Sequence, residues 1–187
     1  MELASYDVLV VGGGLSGLSA AIFLARADLK TVVFDTGAST IQPISMVNNY
    51  LGFPEGIPGA ELLERGRTQA RRFGVELRAE LVQQVRRLGD GTYEAVAASG
   101  SYGAPIVLVA SNKNTKVGAD LGLKLGGRNN RFIEHDGAGR TTIPKVYVCG
   151  RITEHPSQAA ISVGNGALVA LTIIQDVRGA YYVDHDD

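Results

Sequence analysis

A glycine-rich turn near the start of the chain is the strongest chemical signal in the sequence. Gly12, Gly14 and Gly17 follow the apolar run of residues 8–11 with the spacing Gly-x-Gly-x-x-Gly, and a helix-compatible segment begins at once. In such a turn the first glycine permits the tight bend, the second leaves the backbone open to a pyrophosphate, and the third lets the helix pack closely on the strand. The helix start adds free N–H groups and a positive dipole end. The segment therefore predicts a site for the diphosphate of a dinucleotide.

An acidic residue at the end of the next predicted strand supports this interpretation. Residues 30–35 form that strand, and Asp35 lies 23 residues after Gly12. A carboxylate at this position can accept hydrogen bonds from an adenosine ribose and disfavours a 2′-phosphate, so FAD or NAD fits better than NADP. With 24 glycines in the chain a purely structural turn is the alternative, but the strand, helix and acid around the motif favour a nucleotide site.

Size, charge and cysteine content narrow the class of protein. The 187 residues, 45% hydrophobic, fit one domain better than two. The net charge of −1, with dispersed Lys and Arg, predicts no nucleic-acid partner and no anionic membrane surface. The first residues lack a signal-peptide pattern and the apolar stretch 167–174 is shorter than a membrane span, so we expect a cytoplasmic protein without a membrane partner. Cys149, the only cysteine, excludes a Cys-x-x-Cys pair and reads as an apolar filler at a strand end.

The elements that must position these residues alternate between strand and helix patterns. The fold class is α/β: a single FAD/NAD(P)-binding Rossmann-like domain with a central parallel sheet plus a small antiparallel β-meander. We expect residues 36–58 to be loop and residues 100–103 to form a chain reversal, and residues 112–140 are weakly patterned. The predicted strands are 8–11, 30–35, 75–88, 92–98, 105–110, 132–133 and 146–148, and the predicted helices begin near residue 12 and cover 59–73 and 157–177, with Ser157 near the last helix start as a cap.

The order of motifs resembles the flavin domain of the thioredoxin reductase family, within the pyridine nucleotide-disulfide oxidoreductases. Besides the glycine turn, the similar segments are 47–54 with the helix start that follows, 109–111, 139–150 and 157–159. The resemblance implies an FAD-binding flavoprotein that forms a homodimer. It also implies that the last helix points its N-terminus at the pyrimidine edge of the flavin, where the helix dipole can stabilise negative charge. Residues 1–111 would form the N-terminal part of one domain, and residues 112–187 would complete the flavin site.

The candidate cofactor-binding residues come from the turn and from the resemblance together. By family position Asn49 faces the flavin, and the backbone of Val82, in the strand after Phe73, contacts adenine. No catalytic acid or base stands out. The full set is Gly12, Gly13, Gly14, Leu15, Ser16, Gly17, Asp35, Thr36, Gly37, Asn49, Val82, Ala110, Ser111, Gly150, Arg151, Gln158 and Ala159.

Three departures from the family pattern bear on function. The sequence passes from Ala110 directly to Asn114, which skips the pyridine-nucleotide domain, and the redox Cys-x-x-Cys is missing. Where the family has Gly-Asp after the last strand, with the carboxylate on the ribityl chain, this chain has Gly150-Arg151. Arg151 either pairs with the pyrophosphate or points to solvent, since arginine suits both. Electrons would then come from a separate protein or from NAD(P)H that docks on the flavin.

Two other functions stay open at this point. One is a non-catalytic flavin-binding redox sensor or interaction module, which the skipped domain favours. The other is a small NAD-dependent dehydrogenase, which is disfavoured because the chain has no Tyr-x-x-x-Lys pair. His135 and His155 lack the spacing of a ligand set. The end 181–187 gathers one imidazole and three carboxylates that could hold a divalent cation, but acids at a chain end usually fray, so a solvated tail is favoured and no metal is predicted.

Overall fold

The computed structural model describes residues 3–183, which form eleven strands and four α-helices. Short 3-10 turns cover Arg128–Asn130 and Gly150–Thr153. The helices are α1 (Leu15–Arg26), α2 (Gly59–Arg72), α3 (Lys116–Asp120) and α4 (Ala159–Arg178). The strands are β1 (Ala4–Ser5), β2 (Val8–Val11), β3 (Thr31–Phe34), β4 (Glu76–Arg78), β5 (Gln84–Arg87), β6 (Tyr93–Ala97), β7 (Gly100–Ala104), β8 (Ile106–Val109), β9 (Leu125–Gly126), β10 (Phe132–Ile133) and β11 (Val146–Val148).

A five-stranded parallel sheet forms the centre of the fold, in the order β11-β8-β2-β3-β4. In the central strand Val10 pairs with Val33 on one side and Leu108 on the other. Every residue of β2, β3 and β8 is buried. Strands that are covered on both faces read as unbroken apolar runs, which is why the sequence revealed them. The predicted parallel sheet is confirmed.

The two faces of this sheet pack against different layers. Val8 and Val10 belong to a cluster with α1 and α4, which includes Leu18 and Ile173. Leu9 and the alternate positions of neighbouring strands pack instead on a four-stranded sheet of order β1-β7-β6-β5. The alternation of side chains along β2 therefore places the helices on one face and the antiparallel meander on the other.

Helix α4 lies against α1 beside the sheet. The Ser19 hydroxyl donates to the Val163 carbonyl at 2.8 Å, and a Cβ added to Gly166 would lie 2.1 Å from the Ser16 carbonyl oxygen. Val169 and Ile173 are fully buried. Of the helices within residues 3–183, α4 alone is long and apolar enough to cross a membrane, a test that the core helix of a soluble protein also passes.

Three sequence predictions were wrong in detail. The segment 75–88 is two strands, because β4 joins the parallel sheet beside β3 while β5 joins the meander. Residues 100–103 lie within β7, and the reversal is at residues 98–99. Ser157 is not the cap of α4, since Gln158 precedes the helix without a side-chain cap. In the weakly patterned segment 112–140 the structure adds the short helix α3, which the sequence did not reveal.

Candidate cofactor site

The carboxyl ends of the parallel strands meet at one cleft of about 570 Å³. Gly12 follows β2, Asp35 follows β3, and Ala110 follows β8. In the sheet β2 lies between β3, which follows it in the chain, and β8, which comes much later. The strand order therefore reverses at β2, and the cleft lies at this topological switch point. Open α/β sheets bind ligands at this point, and the volume lies within the usual range for small-molecule sites.

The glycine turn is held by close backbone contacts. Gly12 has a φ of +118°, and a Cβ added there would lie 2.3 Å from the Ala110 carbonyl oxygen. A Cβ added to Gly17 would lie 1.9 Å from the Gly12 carbonyl oxygen. Real side chains do not make such contacts, so the turn and the start of α1 can approach only because both residues are glycine.

The start of α1 is open towards the cleft. Gly14 precedes the helix, no side chain within residues 3–183 caps it, and its first turn holds no acid. A Cβ added to Gly14 would meet only the Ser39 hydroxyl, at 3.6 Å, so the space beside this backbone is unfilled by protein. Uncapped N–H groups at a helix start can bind a phosphate.

Asp35 lies beside the turn and is held by two partners. Its Oδ1 accepts the Gly37 N–H at 2.9 Å, and its Oδ2 accepts from Arg67 of α2 at 2.7 Å. Burial works against the charge of Arg67, but its hydrogen bonds to Asp35 and Glu64 and the charges of these two acids together outweigh burial, so the pKa of Arg67 is raised. Each carboxylate oxygen has further lone pairs, so Asp35 can still accept a ribose hydroxyl. Sequence reasoning missed Arg67, although its place between Leu63 and Ala70 on the buried face of α2 was a signal.

The opposite end of the cleft is built by side chains from distant segments. The Asn49 side-chain amide donates to Gln158 Oε1 at 3.1 Å, just before α4 begins. The buried Asn165 accepts the Gly150 N–H at 2.6 Å. A Cβ added to Gly150 would lie 2.3 Å from the Ser16 hydroxyl, so the turn after β11 rests on the start of α1. Asn165 was also missed, because its role needs a contact between distant parts of the chain.

Most of the predicted site residues gather around this cleft. Val82 lines it from the segment between β4 and β5, so the expectation that it lies in a strand was wrong. Four predicted residues do not line the cleft but contact residues that do or lie next to them. Gly17 packs against the turn, and Gly37 donates its N–H to Asp35. Asn49 donates to Gln158, and Gly150 precedes Arg151. The thirteen that line the cleft are Gly12, Gly13, Gly14, Leu15, Ser16, Asp35, Thr36, Val82, Ala110, Ser111, Arg151, Gln158 and Ala159. The lining residues that the sequence did not reveal include Ser39, Ile41, Asn112, Lys113 and Ser162.

Cys149 and the two histidines do not contribute to this site. Cys149 is fully buried, and burial raises the pKa of its thiol to about 12 despite a hydrogen bond from Ser16. The rings of His135 and His155 lie 6.3 Å apart, which their spacing in sequence did not suggest. Within residues 3–183 no three metal-ligating side chains cluster. Residues 184–187 of the acidic end lie outside the described part of the chain.

The fold and the cleft define a dinucleotide-binding Rossmann-like protein, and comparisons with known proteins narrow this class. Residues 7–42 match the family described as FAD binding domain. The chain is 39% identical over 109 residues to thioredoxin reductase of Mycolicibacterium smegmatis, covering 53% of this chain and 35% of the relative. It is 32% identical over 126 residues to thioredoxin reductase of Streptomyces coelicolor, covering 65% and 39%. The chain thus spans about a third of the length of these relatives.

Solved structures show the same fold. A thioredoxin reductase from Gloeobacter violaceus superposes with a TM-score of 0.88 at 16% identity, covering 100% of both chains. The atypical thioredoxin reductase TRi from Desulfovibrio vulgaris Hildenborough gives 0.83 at 20% identity, covering 92% of this chain and 98% of that one. The chain is an FAD-binding protein related to the thioredoxin reductases. The open backbone at Gly14 and the uncapped start of α1 fit the diphosphate of FAD.

Proposed function

We propose that the protein is an FAD-dependent oxidoreductase of the thioredoxin reductase type that receives its electrons from a separate donor. One observation carries the proposal: the starts of α1 and α4, both free of acids in their first turns, line one cleft at the switch point of the sheet. The first suits a diphosphate, and the second places a positive dipole end where negative charge can be stabilised.

Each end of the cleft has its own part of the cofactor to hold. The turn of residues 12–17 binds the diphosphate, and Asp35 binds the adenosine ribose, with Val82 and residues 110–111 beside the adenosine. Asn49, Gln158 and Ala159 hold the flavin end. FAD supplies the electron transfer, and these residues bind it, orient it and exclude water. Residues 1–187 act as one FAD-binding domain in which 112–187 complete the site that 1–111 begin.

The donor is separate because these 187 residues offer no internal relay. The only cysteine is buried, and its raised pKa keeps it a thiol. Strand β8 leads through residues 110–115 directly into α3. The sequence after β8 holds no second unit in which a strand, a Gly-x-Gly-x-x-Gly turn and a helix follow one another. Electrons therefore come from a partner protein or from NAD(P)H that docks transiently. We further expect a cytoplasmic homodimer, which the relationship to thioredoxin reductases and the exposed Ile161 and Leu168 of α4 support.

Absorption spectroscopy of the purified protein tests the proposal. We expect a flavin spectrum, release of FAD on heating, and bleaching under anaerobic conditions with NADH, NADPH or an added reductase. The control is Gly14→Asp, which places a negative side chain in the open space and should abolish FAD uptake. A colourless protein that takes up no added FAD would contradict the cofactor site. A yellow protein that no donor bleaches would favour the non-catalytic redox sensor or interaction module.

A further inference from the structure

The acidic and the basic side chains that line the cleft differ in whether they have partners within the protein. Its two acids are satisfied within the protein: Asp35 by Gly37 and Arg67, and Glu80 by the Ser99 N–H at 2.9 Å and the Ser99 hydroxyl at 2.6 Å. These bonds from Ser99 lower the pKa of Glu80 and hold it ionised. Both acids therefore have hydrogen-bond partners before any ligand binds, and Asp35 also has an ion pair with Arg67.

The two basic side chains of the lining have no such partners. Arg151 is half-buried and Lys113 is exposed, and neither side chain has an ion pair or hydrogen bond with any residue of the described range 3–183. Both face a cleft into which two acid-free helix starts already direct positive potential. An uncompensated pair of cations in a concave site raises the local concentration of anions.

The backbone places Arg151 next to the diphosphate turn. Gly150 lies against Ser16, the second residue of α1, and its N–H is fixed by Asn165. Arg151 is the following residue, so its position relative to the start of α1 is set by this contact. A guanidinium beside uncapped helix N–H groups is suited to phosphate oxygens, because it presents several donors in a fixed plane.

We propose that Arg151 and Lys113 form a cationic clamp that selects the ligand by its phosphate charge. The inference rests on the proposed FAD site and adds to it a source of affinity: the site holds FAD chiefly by its diphosphate and discriminates against riboflavin, which has none. Arg151 acts through its positive charge and its planar set of donors, so a neutral side chain of similar size at this position should weaken binding.

Ligand titrations of the apo-protein test the clamp without any activity measurement. FAD and riboflavin are titrated by fluorescence into wild type, K113Q, R151Q and the double variant K113Q/R151Q, with R131Q as the control, an exposed arginine outside the cleft. We expect the Kd for FAD to rise about threefold in K113Q, about tenfold in R151Q and about 30-fold in K113Q/R151Q, since charge-assisted hydrogen bonds are lost. Riboflavin binding should stay unchanged in every variant, and R131Q should match wild type.

Salt dependence gives a second readout that needs no mutation. Raising NaCl from about 0.05 M to about 0.5 M should weaken FAD binding severalfold in wild type and less in the double variant K113Q/R151Q, because salt screens exposed charges. Thermal melts of the apo-proteins identify any variant that fails to fold.

The outcomes separate the clamp from the FAD site. If wild type binds FAD but a folded K113Q/R151Q binds it equally well and salt has no effect, the clamp is wrong and the FAD site stands. If wild type binds no FAD at all, the proposed function fails and the clamp fails with it.

Discussion

The two ends of the cleft are built in different ways. At the glycine turn, backbone meets backbone, and the positions of Gly12 and Gly17 leave no room for a Cβ. At the start of α4, side chains from distant segments meet, as in the bonds of Asn49 to Gln158 and of Asn165 to Gly150. A backbone-built end admits almost no substitution, whereas a side-chain-built end can change its chemistry at one position. The departure at Arg151 lies where the side-chain-built end meets the start of α1.

The largest effect should come from Gly17→Ala at the backbone-built end. The added Cβ would lie 1.9 Å from the Gly12 carbonyl oxygen, so either the turn or α1 must move. We expect a loss of about 3 kcal/mol or more in the free energy of unfolding and loss of FAD uptake, measured by urea denaturation and flavin titration.

A matched control is available in the other core helix. Gly164 of α4 is exposed, and an added Cβ would meet no atom within 4 Å. Gly164→Ala should therefore stabilise the protein by up to about 1 kcal/mol through helix propensity. If Gly17→Ala and Gly164→Ala changed the stability equally, the close backbone contact at Gly17 would not be what requires glycine there.

Asn165→Ala should have the next largest effect, at the side-chain-built end. Removal of the amide leaves the buried Gly150 N–H without its acceptor, which costs about 1–3 kcal/mol. The turn that carries Arg151 should loosen as well, and hydrogen exchange at Gly150 reports this. The control is Asn48→Ala, at an exposed asparagine outside the cleft lining. Protection at Gly150 that persists in Asn165→Ala would argue against this support.

Arg67→Ala sharpens the comparison at the adenosine side. The Arg67 and Asp35 side chains are only 20% and 16% exposed, so removing the arginine leaves a partly buried carboxylate unpaired. We expect a cost of about 1–2 kcal/mol in stability and a severalfold weaker affinity for FAD. Arg65→Ala on the same helix breaks a pair that is 61% and 47% exposed and should cost less than about 0.5 kcal/mol. Similar losses in both variants would mean that burial of the pair is irrelevant.

Acid should weaken the attachment of α4. Arg140 donates two hydrogen bonds to Asp176, both at 2.7 Å, and lowers the pKa of this carboxyl, and the Tyr147 hydroxyl donates a third at 2.8 Å. A carboxyl whose folded pKa is lowered contributes stability above its unfolded pKa of about 3.9 and loses it as pH falls further. Urea midpoints measured at decreasing pH should show a smaller acid-dependent loss in Asp176→Asn than in wild type. Glu55→Gln, an exposed loop carboxyl, should keep the wild-type slope.

The smallest effect concerns Cys149. Because burial raises its pKa to about 12, only about one thiol in ten thousand would be ionised at pH 8 even with free access. Thiol reagents should label the native protein no faster than it unfolds. Ser157→Cys, at an exposed position, provides the rapid control, and fast labelling of Cys149 in the folded protein would contradict its burial.

The sequence revealed the backbone-built end more completely than the other. Apolar runs such as 8–11 and 106–109 and the glycine spacing are local patterns, so they predicted the sheet, the turn and Asp35. The prediction of a single strand over 75–88 was wrong because residues 76–78 pair with one sheet and residues 84–87 with the other, and the sequence does not show where the chain passes between the sheets. Asn165 acts through a contact between distant segments, and no local pattern encodes such a contact. Arg67 had a local signal, its place on the buried face of α2, but its partner Asp35 lies 32 residues away.

The position of β11 and α4 late in the sequence has a consequence for synthesis on the ribosome. β11 and α4 complete the cleft, yet they follow every other element of it in translation. While the ribosome still holds residues 146–178, β8 is a bare sheet edge and α1 has no α4 to pack on. We therefore expect flavin to enter only after synthesis of this region is finished, so a nascent chain stalled before residue 146 should bind none.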